Sequence, residues 1–248
     1  MSILGIDIGG TKTTVGMADC DGKLLVHKRV ETPNALGPER NLAAIIAAAH
    51  EVVREQGEVV HLIGIGCGGP LDRKTGTLHK VSNLPGWEGI CLTGMFSKEL
   101  GAPAFLDNDA TAAAMGEALF GAGRGVDSFV YFTVSTGIGG GIIINGKPYR
   151  GTGENAAEFG HMKLSDDGPA CNCGDRGCLE AYASGTSIAR IAREGLPAHP
   201  QSSLRSAGEI TAELVASAAA EGDAYAARVW NRAMRHLGLG VANVVNAL

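Results

Sequence analysis

The sequence predicts an α/β protein of two related lobes, on three observations. Short apolar runs of strand length alternate with alanine-rich stretches of helical spacing. A strand, a glycine turn and a second strand open the chain, and the same theme returns past its midpoint. Apolar residues fill 45% of 248 positions, enough core for one large or two modest domains.

The opening reads as a meander: residues 3–8, a turn at Gly9-Gly10, residues 13–18, a turn at Asp21-Gly22, then residues 23–30. Both turns carry hairpin residues. Residues 38–56 place apolar side chains along one helical face and stop at Gly57. Residues 59–67 return to strand, 92–100 form a short helix, 104–106 a buried strand and 111–120 a second helix. Gly121 to Gly125 is the expected linker, dividing the chain into lobes 1–120 and 121–248. In the second lobe, strands at 128–134 and 142–144 flank a turn at Gly137 to Gly141, before Asn145-Gly146. Thr211 stands as the N-cap of one later helix, and Asp223 opens a long one towards Asn246.

Composition narrows the function. No apolar run approaches the roughly 18 residues that span a bilayer, and the start lacks a basic, cleavable leader, so the expected compartment is the cytoplasm. Cys20, Cys67 and Cys91 sit in apolar surroundings and read as free buried thiols in a reducing environment. A net charge of -5 with no long basic stripe offers no footprint for nucleic acid. Small polar ligands are the expected partners.

Residues 161–180 hold one histidine and three cysteines in one loop: His161, Cys171, Cys173 and Cys178. Thiolates and a neutral imidazole are the ligands tetrahedral zinc prefers, and four protein ligands leave no position for a reactive water. The reading is a structural zinc, against a redox or disulfide use of the cysteines. Glu158 and Glu180 bracket the loop. By position alone they are as readily solvated groups as functional ones. His161 has a second ring nitrogen with which to meet a ligand.

Asp7-Ile8-Gly9-Gly10-Thr11-Lys12 is not a P-loop, since it lacks that spacing and a strand follows it. Paired glycines still expose amides in an anion-binding concavity, beside which Asp7 can hold a hydrated Mg²⁺. Ser135 to Gly141 offers a second such turn; taken singly, each is more often a plain hairpin. Asp107-Asn108-Asp109-Ala110 follows a strand and precedes a helix, the carboxyl-end position that faces ligands in α/β sheets. Asp109 is the candidate base.

With these motifs in view, the chain resembles the ROK-family sugar kinases of the actin-like, hexokinase-type (ribonuclease H-like) superfamily, over nearly its whole length. The marks are DIGGTK at 7–12, DNDA at 107–110, TGIGGG at 136–141, ExGH at 158–161 and CxCGxxGCxE at 171–180. The resemblance implies an actin-like ATPase fold of two lobes about a central cleft. It implies ATP phosphates gripped by Gly9, Gly10, Thr11 and Lys12 on one side and Thr136, Gly137 and Gly139 on the other, with Asp7 near Mg²⁺. Asp109 becomes the base for the sugar hydroxyl, and Asn108, Glu158, His161 and Glu180 become sugar ligands. Gly68, Gly69 and Asn83 become a substrate-side wall, while Glu117 stays structural. The implied activity is ATP-dependent hexose phosphorylation in carbohydrate metabolism and glycolysis, by a homo-oligomer (dimer or tetramer). Ser82 to Trp87 is similar to the glucokinases of the family, which makes glucose, going to glucose 6-phosphate, the expected substrate. The flanks of the zinc loop are similar to its N-acetylmannosamine kinases, so N-acetylmannosamine or another N-acetylhexosamine, or fructose, is the alternative, and the sequence leaves open whether polyphosphate replaces ATP. A sugar-sensing repressor would carry an N-terminal helix-turn-helix before the first motif, for which no room is expected here. A non-catalytic sugar-binding lobe is the third reading. Family members usually continue past the long helix, so an incomplete adenosine pocket and weak turnover are expected for a chain stopping at Leu248.

Overall fold

The computed structural model describes residues 1–81 and 83–248; Ser82, part of the glucokinase-like stretch, lies outside the described residues. Contacts divide the chain into two compact units, Met1–Tyr131 with Gly141–Ala156, and Phe132–Gly140 with Ala157–Leu248. The chain therefore changes unit after Tyr131, Gly140 and Ala156, whereas the sequence suggested one boundary at 120/121.

The first unit is a sheet of β1 (Ser2–Ile8), β2 (Lys12–Ala18), β3 (Leu24–Glu31), β4 (Val60–Cys67) and β7 (Ala104–Asn108), in the order β3-β2-β1-β4-β7. The β1-β2 and β2-β3 pairs are antiparallel hairpins, while β4 and β7 add parallel to β1. Leu4, Ile6 and Ile8 alternate into the core, where Val15, Met17, Ile63 and Ile65 meet them. Helix α1 (Gly37–Gln56) buries Leu42, Ile45, Ala49 and Val52 on that core. Pro38 suits its first turn, and Gly57, left-handed at φ 71°, donates to Val53 O to end it. Between β4 and β7 lie the short hairpin β5 (Leu71–Asp72) and β6 (Thr77–Leu78) and helix α2 (Leu92–Leu100).

Helix α3 (Asp109–Phe120) begins where β7 ends, two residues earlier than expected, because the Asn108 side chain accepts from Thr111 N and caps it. Next come β8 (Phe129–Val134), β9 (Ile138–Ile144) and β10 (Lys147–Tyr149), a sheet ordered β10-β9-β8. Here the structure corrects the sequence reading: Gly139, Gly140 and Gly141 lie inside β9, and only Ser135 to Gly137 turn. At Gly141 a Cβ would stand 2.5 Å from Ala114 Cβ and 3.0 Å from Ala110 O, so glycine lets the strand lie on α3.

The second unit is helical behind the loop, with α4 (Leu179–Ala183), α5 (Gly185–Gly195), α6 (Ala212–Ala220) and α7 (Ala224–Ala247) around Leu179, Tyr182, Ile188, Val215, Tyr225 and Val229. Thr211 and Asp223 are N-caps, as expected, the latter accepting from Tyr225 N and Ala226 N. All six cysteines are free, but only Cys67 of the three outside the loop is buried. Cys20 and Cys91 are exposed because one sits in the turn after β2 and the other just ahead of α2. Among the described residues, no helix is long and apolar enough to cross a membrane.

Candidate functional site

The predicted site residues fall into two groups, one in each unit. In the first, parallel register aligns Asp7 with Gly66 and Gly66 with Asp107, so the carboxyl ends of β1, β4 and β7 share one edge. Gly66 keeps the space between the acids: a Cβ there would lie 3.6 Å from Asp109 Cα and 3.9 Å from Asp7 Oδ1. Burial among protein atoms raises Asp109, against the bond it accepts from Ala110 N. Burial also raises Asp7; the Asp109 charge adds to this and Lys12 opposes it. Both residues stay open to solvent, which screens the shifts and leaves the carboxyls reachable. Its own burial, with the same two charges adding to it, pushes the Cys67 thiol up to about 12, so it remains protonated.

The first glycine turn is built against this edge. Gly9 N donates to Lys12 O at 3.0 Å, and Thr32 N donates to Thr11 O at 2.8 Å. A Cβ on Gly10 would stand 2.5 Å from Asn83 O, and one on Gly68 3.3 Å from Asn83 Oδ1. The structure thus gathers Gly10, Gly68 and Asn83, with Gly69 next in chain, where Asn34 Nδ2 holds Asn83 O at 3.1 Å.

Asn108 spends its Oδ1 on the cap of α3, which leaves its amide nitrogen as the group it can offer a ligand. Asp107 is committed as well. Arg150 Nη2 meets its Oδ2 at 2.5 Å and Arg73 Nε its Oδ1 at 3.3 Å, while Arg73 Nη1 lies 3.5 Å from Glu154 Oε1. Of the two aspartates in the motif, Asp109 is therefore the one open to a reacting group. Sequence reasoning missed these arginines, and nothing local marks residues that act across so many positions. Glu117 accepts from Ala122 N at 2.7 Å, a structural role, as expected.

In the second unit, Glu158 precedes a 3₁₀ turn, Phe159–His161, that delivers His161 to the loop. Left-handed Gly174 and Gly177 fold the loop tightly, with Gly174 N donating to Cys171 O and Gly177 N to Pro169 O. His161, Cys171, Cys173 and Cys178 bring their ligand atoms within 4.8 Å of one another. His161 Nδ1 lies 3.7 Å from Cys171 Sγ, and the Cys173 and Cys178 sulfurs are 3.8 Å apart. With metal–sulfur bonds near 2.3 Å, a tetrahedron has edges of about 3.8 Å, so donor set and spacing both fit zinc. Glu180, at the start of α4, accepts from Ile138 N at 2.8 Å, and Thr186 Oγ1 donates to Thr136 O at 2.7 Å.

Comparison with known proteins agrees with these features. A family model described as ROK family matches residues 3–248. The glucokinase of Thermotoga maritima is 38% identical over 250 residues, covering 99% of this chain and 78% of the relative. A Streptomyces coelicolor glucokinase is 41% identical over 198 residues, covering 80% of this chain and 61% of the relative. The crystal structure of a ROK family glucokinase from Streptomyces griseus in complex with glucose and AMPPNP matches with a TM-score of 0.87 at 36% identity. It covers 100% of this chain and 80% of the other.

Proposed function

Because the chain belongs to the ROK family, we propose that it transfers a phosphoryl group from ATP to a hexose, glucose foremost, giving glucose 6-phosphate. The observation that carries the reading is Asp109: a raised carboxyl at the carboxyl end of a parallel strand, beside a glycine turn and a second acid. Phosphoryl transfer asks little covalent chemistry of a protein, mainly alignment, charge neutralisation and an acceptor for the hydroxyl proton. Asp109 takes that proton as the sugar oxygen attacks. Asn108 orients a ring hydroxyl through its amide nitrogen, Glu158, His161 and Glu180 supply further partners, and Gly68, Gly69 and Asn83 form a substrate-side wall in the first unit.

The Gly10 backbone amide, helped by Thr11 and Lys12, holds phosphate oxygens, with Gly9, whose own amide bonds Lys12 O, shaping the turn; Thr136, Gly137 and Gly139 form a second nucleotide-binding turn. Asp7 takes up Mg²⁺, which neutralises phosphate charge when bound. His161, Cys171, Cys173 and Cys178 hold one structural zinc, which fixes the loop and the histidine tautomer. We place the enzyme in the cytoplasm as a homo-oligomer, in carbohydrate metabolism.

A coupled assay of ATP and Mg²⁺ with glucose, mannose, fructose and N-acetylmannosamine tests the proposal, with polyphosphate replacing ATP in a parallel series. The expected result is turnover with glucose at the highest kcat/KM. Turnover with none of these sugars overturns the kinase reading, and preference for the N-acetylated sugar reassigns the substrate.

A further inference from the structure

The turn between β8 and β9 is shaped by segments that adjoin the metal loop. Glu180, two residues after Cys178, accepts from Ile138 N at 2.8 Å through Oε2. Gly137 lies beneath the same oxygen, where a Cβ would stand 2.6 Å away and displace the carboxylate. Gly160, next to His161, presses on the Ile138 carbonyl so closely that no side chain fits. From the start of α5, Gly185 N donates to Ser135 O at 2.8 Å and Thr186 Oγ1 to Thr136 O at 2.7 Å.

We infer that Glu180 is a positioning residue for the 135–138 turn as well as a sugar ligand. One carboxylate oxygen fixes Ile138 N, the other remains for a hydroxyl, and the form of the nucleotide turn is thereby tied to the metal loop. The nucleotide part of this inference rests on the kinase reading; the contact does not. A backbone N–H bonded to a carboxylate is charge-assisted and stronger than a neutral pair. Glycine on both sides of Ile138 and at position 160 against it leaves few other side-chain anchors at that point, so the Ile138 end of the turn depends on this bond. A residue assigned to the sugar accordingly governs how well the sugar-free protein binds nucleotide.

The test uses the full chain as wild type, Glu180→Ala and Glu180→Gln. Peptide-resolved hydrogen exchange is measured over residues 135–140, and calorimetry with AMPPNP and Mg²⁺ is run without sugar. Glu180→Ala is expected to speed exchange at Ile138 while α6 and α7 keep wild-type protection. It also weakens AMPPNP roughly tenfold, the scale of one hydrogen bond to a charged group. In Glu180→Gln the amide oxygen still accepts from Ile138 N, so both readouts recover most of the way while sugar affinity stays impaired. Unchanged AMPPNP affinity in Glu180→Ala overturns the inference, as does unchanged exchange at Ile138. Should Glu180→Ala fail to fold, Glu180→Asp, which keeps the charge but withdraws it by one methylene, takes its place with the same two outcomes. A wild-type chain that binds no AMPPNP sinks the kinase reading, and exchange at Ile138 then still decides the contact.

Discussion

A carboxyl whose folded pKa lies above its ordinary value of 3.8 favours the folded state fully only while protonated, so Asp109 costs stability as pH rises through its raised titration. Asp109→Asn removes that cost and relieves the neighbouring charge on Asp7. Two outcomes are expected together. Turnover falls by at least about a hundredfold, the scale of lost base catalysis, while sugar affinity measured by calorimetry stays within about tenfold because the amide is nearly isosteric. The melting temperature rises slightly at neutral pH, and the gain disappears below pH 3.8, where the wild-type carboxyl is already neutral. A variant that melts lower at pH 7 would contradict the assigned shift. The position of Asp109 was legible in the sequence because its signal is local: an acid just after a strand and at the start of a helix. The pairing of Asp107 with Arg73 and Arg150 was not, since those side chains reach it from the β5-β6 hairpin and the end of β10. No spacing rule connects such positions.

The same distinction separates the elements. Thr211 and Asp223 could be read as caps because an N-cap bonds amides two and three residues ahead, a relation written in sequence order. Asp223 does more than its cap predicts, since Oδ2 also accepts from Ser202 Oγ, Ser203 N and Ser203 Oγ. Burial pushes its pKa up, but these bonds and that from Ala226 outweigh it and hold the carboxyl far below the usual range. A depressed carboxyl stabilises the fold above its unfolded value of 3.8, and that contribution fades as pH falls below it. Asp223→Ala is therefore expected to cost about 2 kcal/mol at pH 7 in urea unfolding, with a smaller difference from wild type at pH 3. The glycines of β9 illustrate the opposite case. They look like a turn in sequence, and what requires one of them is the face of α3. Gly141→Ala should cost about 1–3 kcal/mol by overpacking against Ala110 and Ala114, measured by the shift of the urea midpoint.

On the scale of the whole chain, the repeated hairpin theme was visible, while the division between the units follows a path that contiguous reading does not reveal. β8 and β9 each pass from one unit to the other, so no single cut separates them. Each unit has its own core: one on the five-stranded sheet around Leu4, Ile45 and Ile63, the other around Leu179, Tyr182 and Val215. The loop at 161–180 belongs to the second unit. Its last ligand, Cys178, stands just before α4, and Leu179 packs where Gly240 admits α7, since a Cβ there would lie 2.5 Å from Leu179 Cδ2. Closing these four ligands around the proposed zinc would contribute folding energy to that corner, because the unfolded loop offers no preformed site. Elemental analysis is expected to give one zinc per chain. Chelation at neutral pH should speed hydrogen exchange through residues 161–183 and the facing part of α7, with β1, β4 and α1 keeping their protection. Cys173→Ser should reproduce that pattern without chelator, because a hydroxyl is a poorer zinc ligand than a thiolate. Uniform loosening of both cores, or a metal-free chain with the same exchange as the loaded one, would show that the loop does not have this local role.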